Sequence, residues 1–272
     1  MNQVITDTLR KWIVEQAQAG CTPEAVLQAM KDSGWEEATA IAAMEESLLA
    51  VVQAPRAVPF VALAEGCTAH AGDRRVRVLA RMIKPTVVVM GGLLSDGECD
   101  ELIASARPRM GRSETVRLSD GDTEVNEART SSGMFFERGE SDLIRRLEQR
   151  MATLLNWPVD HGEGLQVLHY RPGAEYKPHH DYFDPAAPGT AAVLKRGGQR
   201  VGTLLIYLNT PDSGGATTFP EVGLEVAPIK GHAVFFSFDR PHPMTLTLHA
   251  GAPVQAGDKW VATKWLREGV FR

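Results

Sequence analysis

Cysteine is scarce. The 272-residue chain has three, Cys21, Cys67 and Cys99, with no CxxC pair. An odd, scattered set excludes a disulfide framework and suits reduced thiols in a cytosolic protein. None stands near the histidine-rich stretch, which argues against a nucleophilic cysteine. A surplus of positive charge is also missing: 29 Lys and Arg face 34 Asp and Glu, a net charge of −5. That leaves no basic footprint for nucleic acid. No apolar run approaches the ~20 residues that span a bilayer. The first residues, MNQVITDTLRKWIVEQ, lack the basic-then-apolar layout of a signal peptide. The expected setting is the cytoplasm, with neither membrane nor nucleic acid as a partner. Repeats and low-complexity segments are absent too. What remains is ordinary for a globular chain: 43% hydrophobic and 23% charged residues.

The chain reads as helices first and strands last. Residues 1–52 hold three short helical patterns. Leu9, Trp12, Ile13 and Gln16 fall on one stripe of the first. Thr22-Pro23-Glu24 opens the second with a cap, a first-turn proline and an acid. This all-α unit resembles a ubiquitin-associated-type bundle, which implies a protein contact or dimerisation. Residues 53–84 are read as a linker or arm, punctuated by Pro55, Pro59, Gly66 and Gly72. β-rich texture begins inside it with RVRVLARM and continues in TVVVMGG. Residues 85–272 form the main domain. Ser95 to Glu98 spells a capping box for a helix to about Ala106. Leu143, Ile144, Leu147, Met151 and Leu154 mark an amphipathic helix over about 141–155. Eight short strand patterns follow Asn156: GLQVLHY, EYKPHHDYF, RVGTLLIYLN, GATTFP, LEVAP, GHAVFFSF, MTLTLHA and DKWVATKWL. Their spacing predicts a sandwich or jelly roll in an α+β arrangement, with helices bracing one face.

The densest chemistry lies in HYRPGAEYKPHHDYFDP, residues 169–185. On a strand, residues i and i+2 share a face. His179 and Asp181 therefore project together, and His180 points the other way. HxD alone is weak evidence for a metal. A third ligand must come from a distant strand, and His161, His169, His232, His242 and His249 are the candidates. Two histidines and a carboxylate with open positions opposite are the set used by non-haem Fe(II) oxygenases. A nearby cation such as Lys259 would then hold the far end of a dicarboxylate.

From about residue 84 to 272 the chain resembles the prolyl 4-hydroxylase family of Fe(II)- and 2-oxoglutarate-dependent dioxygenases. The runs that carry the likeness are RTSSGMFF, EGLQVLHYRPGAEYKPHHDYF, GGQRVGTLLIYLN, GGATTFPEVG, KGHAVFF and LHAGAPVQAGDKWVATKWLRE, in that order. The resemblance implies a double-stranded β-helix (jelly roll) with His179, Asp181 and His249 as iron ligands. It implies 2-oxoglutarate held by Lys259 with help from Tyr170 and Thr203, O2 as co-substrate, and L-ascorbate as reductant for uncoupled turnover. It implies a substrate groove at Arg129, Ser131, Glu163, Tyr176 and Trp265, and a proline-containing peptide or protein as substrate. Another side chain, a free amino acid, a non-catalytic binding module and a cupin-like isomerase are the alternative readings. The stretch 185–200, PAAPGTAAVLKRGGQR, is expected to act as a lid. Arg267 departs from the pattern, since relatives often carry histidine there.

Overall fold

The computed structural model describes residues 5–19, 21–51, 56–112, 115–116, 123–124 and 130–272. It divides into two compact units, Met1–Arg56 and Ala57–Arg272. No helix among the described residues is long and apolar enough to cross a membrane.

The first unit holds α1 (Asp7–Gln18), α2 (Pro23–Asp32) and α3 (Glu37–Val51). Thr6 and Thr22 cap α1 and α2 by accepting the backbone N–H three residues on. The apolar stripes meet in one small core of Ile13, Val26, Met30, Ala40, Ala43 and Met44.

The second unit runs β1 (Thr68–His70), β2 (Arg75–Met82), β3 (Thr86–Gly91), α4 (Asp96–Ala106), β4 (Gly111–Arg112), β5 (Thr115–Val116), β6 (Thr123–Glu124), β7 (Ser132–Phe136) and α5 (Asp142–Leu155). It continues with β8 (Leu165–Tyr170), β9 (Tyr176–His179), α6 (Thr190–Leu194), β10 (Arg200–Tyr207), β11 (Ser213–Gly214), β12 (Thr217–Phe219) and β13 (Leu224–Val226). β14 (Ala233–Ser237), β15 (His249–Gly251), β16 (Val254–Ala256) and β17 (Lys259–Arg267) complete it. Nine strands form one antiparallel sheet in the order β1-β2-β3-β14-β10-β17-β8-β7-β4, and four form another in the order β13-β12-β15-β9.

Alternation along the large sheet gives it two buried faces. On one, Val88, Met90, Leu204, Ile206, Phe235 and Ala262 pack against Leu102 of α4 and Leu143, Ile144, Leu147, Met151 and Leu154 of α5. The capping box at Ser95 starts α4, with both reciprocal bonds to Glu98 made. Asn156, in the left-handed conformation, ends α5. On the other face, Leu168, Tyr170, Tyr207, Val234, Phe236 and Val261 meet Phe219 and Val226 of the four-stranded sheet.

Two sequence expectations are corrected. Residues 53–84 are not simply an arm: β1 and β2 pair with each other and β2 pairs with β3 at the edge of the large sheet. Gly66 and Gly72, at φ 68° and 75°, make the turns on either side of the three-residue β1; Pro55 lies outside the described residues. MTLTLHA is a strand only at its end. Pro243, which has no N–H to give, opens a 3₁₀ turn, and Leu246 at φ 55° interrupts extension before β15.

Candidate metal centre

β9 and β15 are neighbours in the smaller sheet, and His179 and His249 are direct cross-strand partners in their register. Their ring centroids lie 4.3 Å apart. β9 ends at His179, so Asp181 sits just past the strand, yet its carboxylate returns to the same place. Asp181 Oδ1 lies 3.6 Å from His179 Nε2, and Oδ2 lies 3.5 Å from His249 Nε2. Among the described residues this is the one cluster of three potential ligand atoms, all within 4.8 Å of one another.

The donor set suits a divalent transition metal. Each imidazole gives its Nδ1–H to the carbonyl two residues before it, His179 to Lys177 at 2.8 Å and His249 to Thr247 at 3.0 Å. That fixes the tautomer and leaves the Nε2 lone pair for a ligand bond. Burial, with His179 beside it, pushes His249 down to about 4, so the ring is neutral at ordinary pH. Burial pushes the Asp181 carboxyl up, but His249, His179 and Arg200 outweigh it and hold the group well below the usual carboxylate range. Thr203 donates its hydroxyl to Asp181 Oδ2 at 2.6 Å. Tyr176 stacks on His179 at 3.6 Å, and Phe236 and Phe219 flank His249.

Lys259 begins β17 opposite Tyr170 of β8. It is 3% exposed, and among the described residues no carboxylate pairs with it. Its Nζ lies 5.3 Å from the Tyr170 ring centroid and 5.9 Å from that of Tyr207. Burial alone pulls it down to about 8. Gly215, at φ +73°, makes room: a Cβ there would stand 3.1 Å from Lys259 Cδ. A Cβ on Gly251, two residues after His249, would stand 4.0 Å from Nζ. The ammonium therefore opens into the same inter-sheet space as the histidines.

The other expected residues divide. Tyr170 lies beneath the ammonium, as a lysine-supporting residue would. Thr203 faces Asp181 instead of Lys259. Tyr176 lines the His179 side, and Ser131 is buried beside β7. Trp265 is buried under the Arg200 guanidinium, 4.0 Å from its ring centroid. Glu163 is not a free groove acid, because Arg200 grips it through two bonds of 2.7 and 2.9 Å. Arg129 lies outside the described residues. His180 stacks on Tyr182, away from the cluster. His169 pairs with Asp258 at 3.1 Å and stacks on Trp260. His242 caps the turn at Met244.

Sequence reasoning missed Arg200, Gln199 and the placement of Arg267. Gln199 clamps Phe183 through both its backbone groups, at 2.7 and 2.8 Å. Arg267 reaches the carbonyls of Val193 and Arg196. The 185–200 stretch thus carries α6 and is fastened at its far end, where Gly269 also donates to Gly197 O. GGQR marked Arg200 in the sequence, but its partner is 37 residues away.

A family model described as 2OG-Fe(II) oxygenase superfamily matches residues 165–267. Probable prolyl 4-hydroxylase 3 of Arabidopsis thaliana is 38% identical over 222 residues, covering 74% of this chain and 75% of that protein. Prolyl 4-hydroxylase 1 of the same plant is 40% identical over 203 residues, covering 68% and 69%. The viral collagen prolyl hydroxylase of Paramecium Bursaria Chlorella virus-1, solved with 2OG, superposes with a TM-score of 0.51 at 31% identity, over 66% of this chain and 95% of that one. On these similarities, and with a two-histidine, one-carboxylate cluster beside a buried lysine, the chain belongs to the prolyl 4-hydroxylase family of 2OG-Fe(II) oxygenases.

Proposed function

We propose that the chain hydroxylates a prolyl residue of a peptide or protein, consuming 2-oxoglutarate and O2 and releasing succinate and CO2. The observation that carries this is the pairing of a tautomer-fixed His179–Asp181–His249 cluster with Lys259, a buried cation that has no carboxylate partner among the described residues. His179, Asp181 and His249 would hold Fe(II), which with 2-oxoglutarate supplies the oxidising chemistry that replaces an unactivated C–H by C–OH.

This chain's residues do the placing. Lys259 gives the distal carboxylate of 2-oxoglutarate a charge-assisted bond in a dry pocket, which fixes which end faces the metal. Tyr170 and Tyr207 wall that pocket, and Tyr207 is itself anchored by donating to Thr217 at 2.8 Å. Thr203 holds one Asp181 oxygen and so orients the other. Phe219 and Phe236 keep water off the histidine side. Tyr176 and Trp265 form the aromatic wall against which a prolyl ring would lie.

Further parts of the reading are ours as well. The two β-sheets are taken as a double-stranded β-helix, and L-ascorbate as the reductant for uncoupled turnover. The unpaired cysteines fit a reducing, cytoplasmic setting. The three N-terminal helices are assigned a protein contact or dimerisation.

The test is an assay with Fe(II), 2-oxoglutarate and a panel of proline-containing peptides, following succinate and peptide mass together. Succinate and a gain of one oxygen are expected, abolished by His179→Ala and retained by His180→Ala. Succinate without peptide oxidation would redirect the substrate assignment. Good metal binding with no succinate would sink the oxygenase reading for this chain.

A further inference from the structure

The three side chains of the metal centre are not held alike. His179 and His249 are fixed by strand register, as direct partners of β9 and β15. Asp181 lies beyond the end of β9, and no ladder reaches it. Thr203 donates to one of its carboxylate oxygens, but that bond does not place the backbone that carries the side chain. Among the described residues, the one hydrogen bond to the Asp181 backbone is long, from Arg200 Nη1 to its carbonyl at 3.4 Å.

Two residues on, the chain is gripped harder. The Phe183 N–H donates to Gln199 Oε1 at 2.7 Å, and Gln199 Nε2 donates to the Phe183 carbonyl at 2.8 Å. A primary amide carries the same donor and acceptor as a peptide unit. This pair of bonds is therefore what an antiparallel neighbour would exchange with Phe183 in a hydrogen-bonded pair. A side chain supplies a ladder rung past the point where β9 stops. The glutamine is itself immobilised, and it is 2% exposed. Its Oε1 takes a second N–H, from Arg200 at 3.0 Å, which settles which way round the amide lies. Its backbone N–H donates to Glu268 Oε2 at 2.6 Å, and its carbonyl accepts from the Glu268 N–H at 3.0 Å. Gly198, at φ +76°, lets that carboxylate in, since a Cβ there would stand 2.6 Å from the same oxygen. Glu268 directly follows β17, so the grip on Phe183 is referred to the end of a fully buried strand. The Phe183 ring is buried as well, between the Arg200 and Arg267 guanidiniums at 4.8 and 4.9 Å.

We infer that Gln199 is the positioning residue for the third ligand: by holding Phe183 it sets where the Asp181 carboxylate stands relative to His179 and His249. It acts through the turn and contributes no ligand atom. The inference rests on the metal-centre part of the proposed function and not on prolyl hydroxylation. A carboxylate that returns to the histidines from an irregular turn binds well only when the turn is already ordered, because ordering it at the moment of binding costs affinity. The clamp needs glutamine. Glutamate keeps the shape but has no donor for the Phe183 carbonyl and sets a negative charge against it. Asparagine falls one methylene short.

Titrations of the full chain with Co(II), without 2-oxoglutarate, read metal affinity and the visible ligand-field spectrum apart from turnover. Gln199→Ala and Gln199→Glu are each expected to weaken Co(II) binding by about ten- to a hundredfold, the range for residues that orient metal ligands, and to change the spectrum at saturation. Met151→Ala, which opens a cavity in the helix-side core, should lower the melting temperature and leave Co(II) affinity and spectrum as in the wild type. Gln199→Glu, which keeps the shape and the bonds to Oε1, stands as the test should Gln199→Ala fail to fold. Wild-type Co(II) affinity in the folded Gln199 variant would overturn the inference. So would an equal loss in Met151→Ala, because the effect would then be one of general stability. If the wild type binds no Co(II), the metal-centre reading fails and this inference with it. If Co(II) binding depends on Gln199 but no peptide gains oxygen in the turnover assay, the hydroxylase assignment fails alone and this inference stands.

Discussion

β17 carries two buried lysines five residues apart, and they live in opposite worlds. Lys264 faces the helix side, where Glu148 of α5 pairs with it at 2.7 Å. Glu148 is satisfied in turn by the Gly139 N–H at 2.9 Å. The same face holds Arg150 between Asp73 and Glu98, each bonded in two places or more. Lys259 faces the space between the sheets and has no carboxylate among the described residues. Both ammoniums are pulled down by burial, but only Lys264 has an acid opposing the fall. The helix side spends its charges on itself. On the inter-sheet side Lys259 is left for a ligand, which in the proposed function is the distal carboxylate of 2-oxoglutarate.

Removing Glu148 should break that contrast with the largest effect. Glu148→Ala leaves Lys264 as an uncompensated buried charge and should cost about 3–5 kcal/mol of stability, read as a lower urea midpoint. The matching change on the other face should do the opposite. Lys259→Met removes a charge with no carboxylate partner among the described residues, so stability should hold or rise, while affinity for 2-oxoglutarate falls by about a hundredfold on losing its charge-assisted anchor. Calorimetric titration and a melting curve on one preparation separate the two.

The pH response sharpens the same point. Lys259 releases its proton near 8 in the folded chain and near its ordinary 10.5 in the unfolded one. Between those values the unfolded chain binds more protons, so this residue makes stability rise with pH by about 3 kcal/mol across the window. The rise should vanish in Lys259→Met. Over the same window 2-oxoglutarate affinity should fall, since the bound cation is lost. The smallest change expected is at Thr203. Thr203→Val removes only the hydroxyl on Asp181 Oδ2 and should weaken metal binding by about ten- to a hundredfold, with little effect on the melting temperature.

What was legible in the sequence was local or alternating. Thr22 and Ser95 announce their helices because a cap acts within four residues. The i, i+2 rule put His179 with Asp181 and sent His180 elsewhere, and the structure keeps that division although Asp181 lies beyond the strand. The third ligand needed a resemblance, because no spacing rule links residue 179 to 249 across a register. Glu163 and Arg200 were illegible for the same reason. The resemblance put Glu163 in the substrate groove, but nothing in the sequence tied it to the guanidinium 37 positions away that grips it. Pro243 and Leu246 overrode the alternating pattern of MTLTLHA, as backbone constraints do when they conflict with side-chain period. Gln199 carried no signal, since a glutamine that clamps a backbone reads like any polar turn residue.

All nine residues of β17 are buried, from Lys259 to Arg267. A strand of that kind is a ruler. Six steps of about 3.3 Å separate Lys259 from Trp265, so roughly 20 Å of rigid backbone sets the span between the proposed co-substrate anchor and the proposed substrate wall. The span cannot be tuned gradually. Inserting one residue between them would exchange the faces, carrying Lys264 or Trp265 to the wrong side of the sheet. The length of what fits between anchor and wall is thus quantised in pairs of residues.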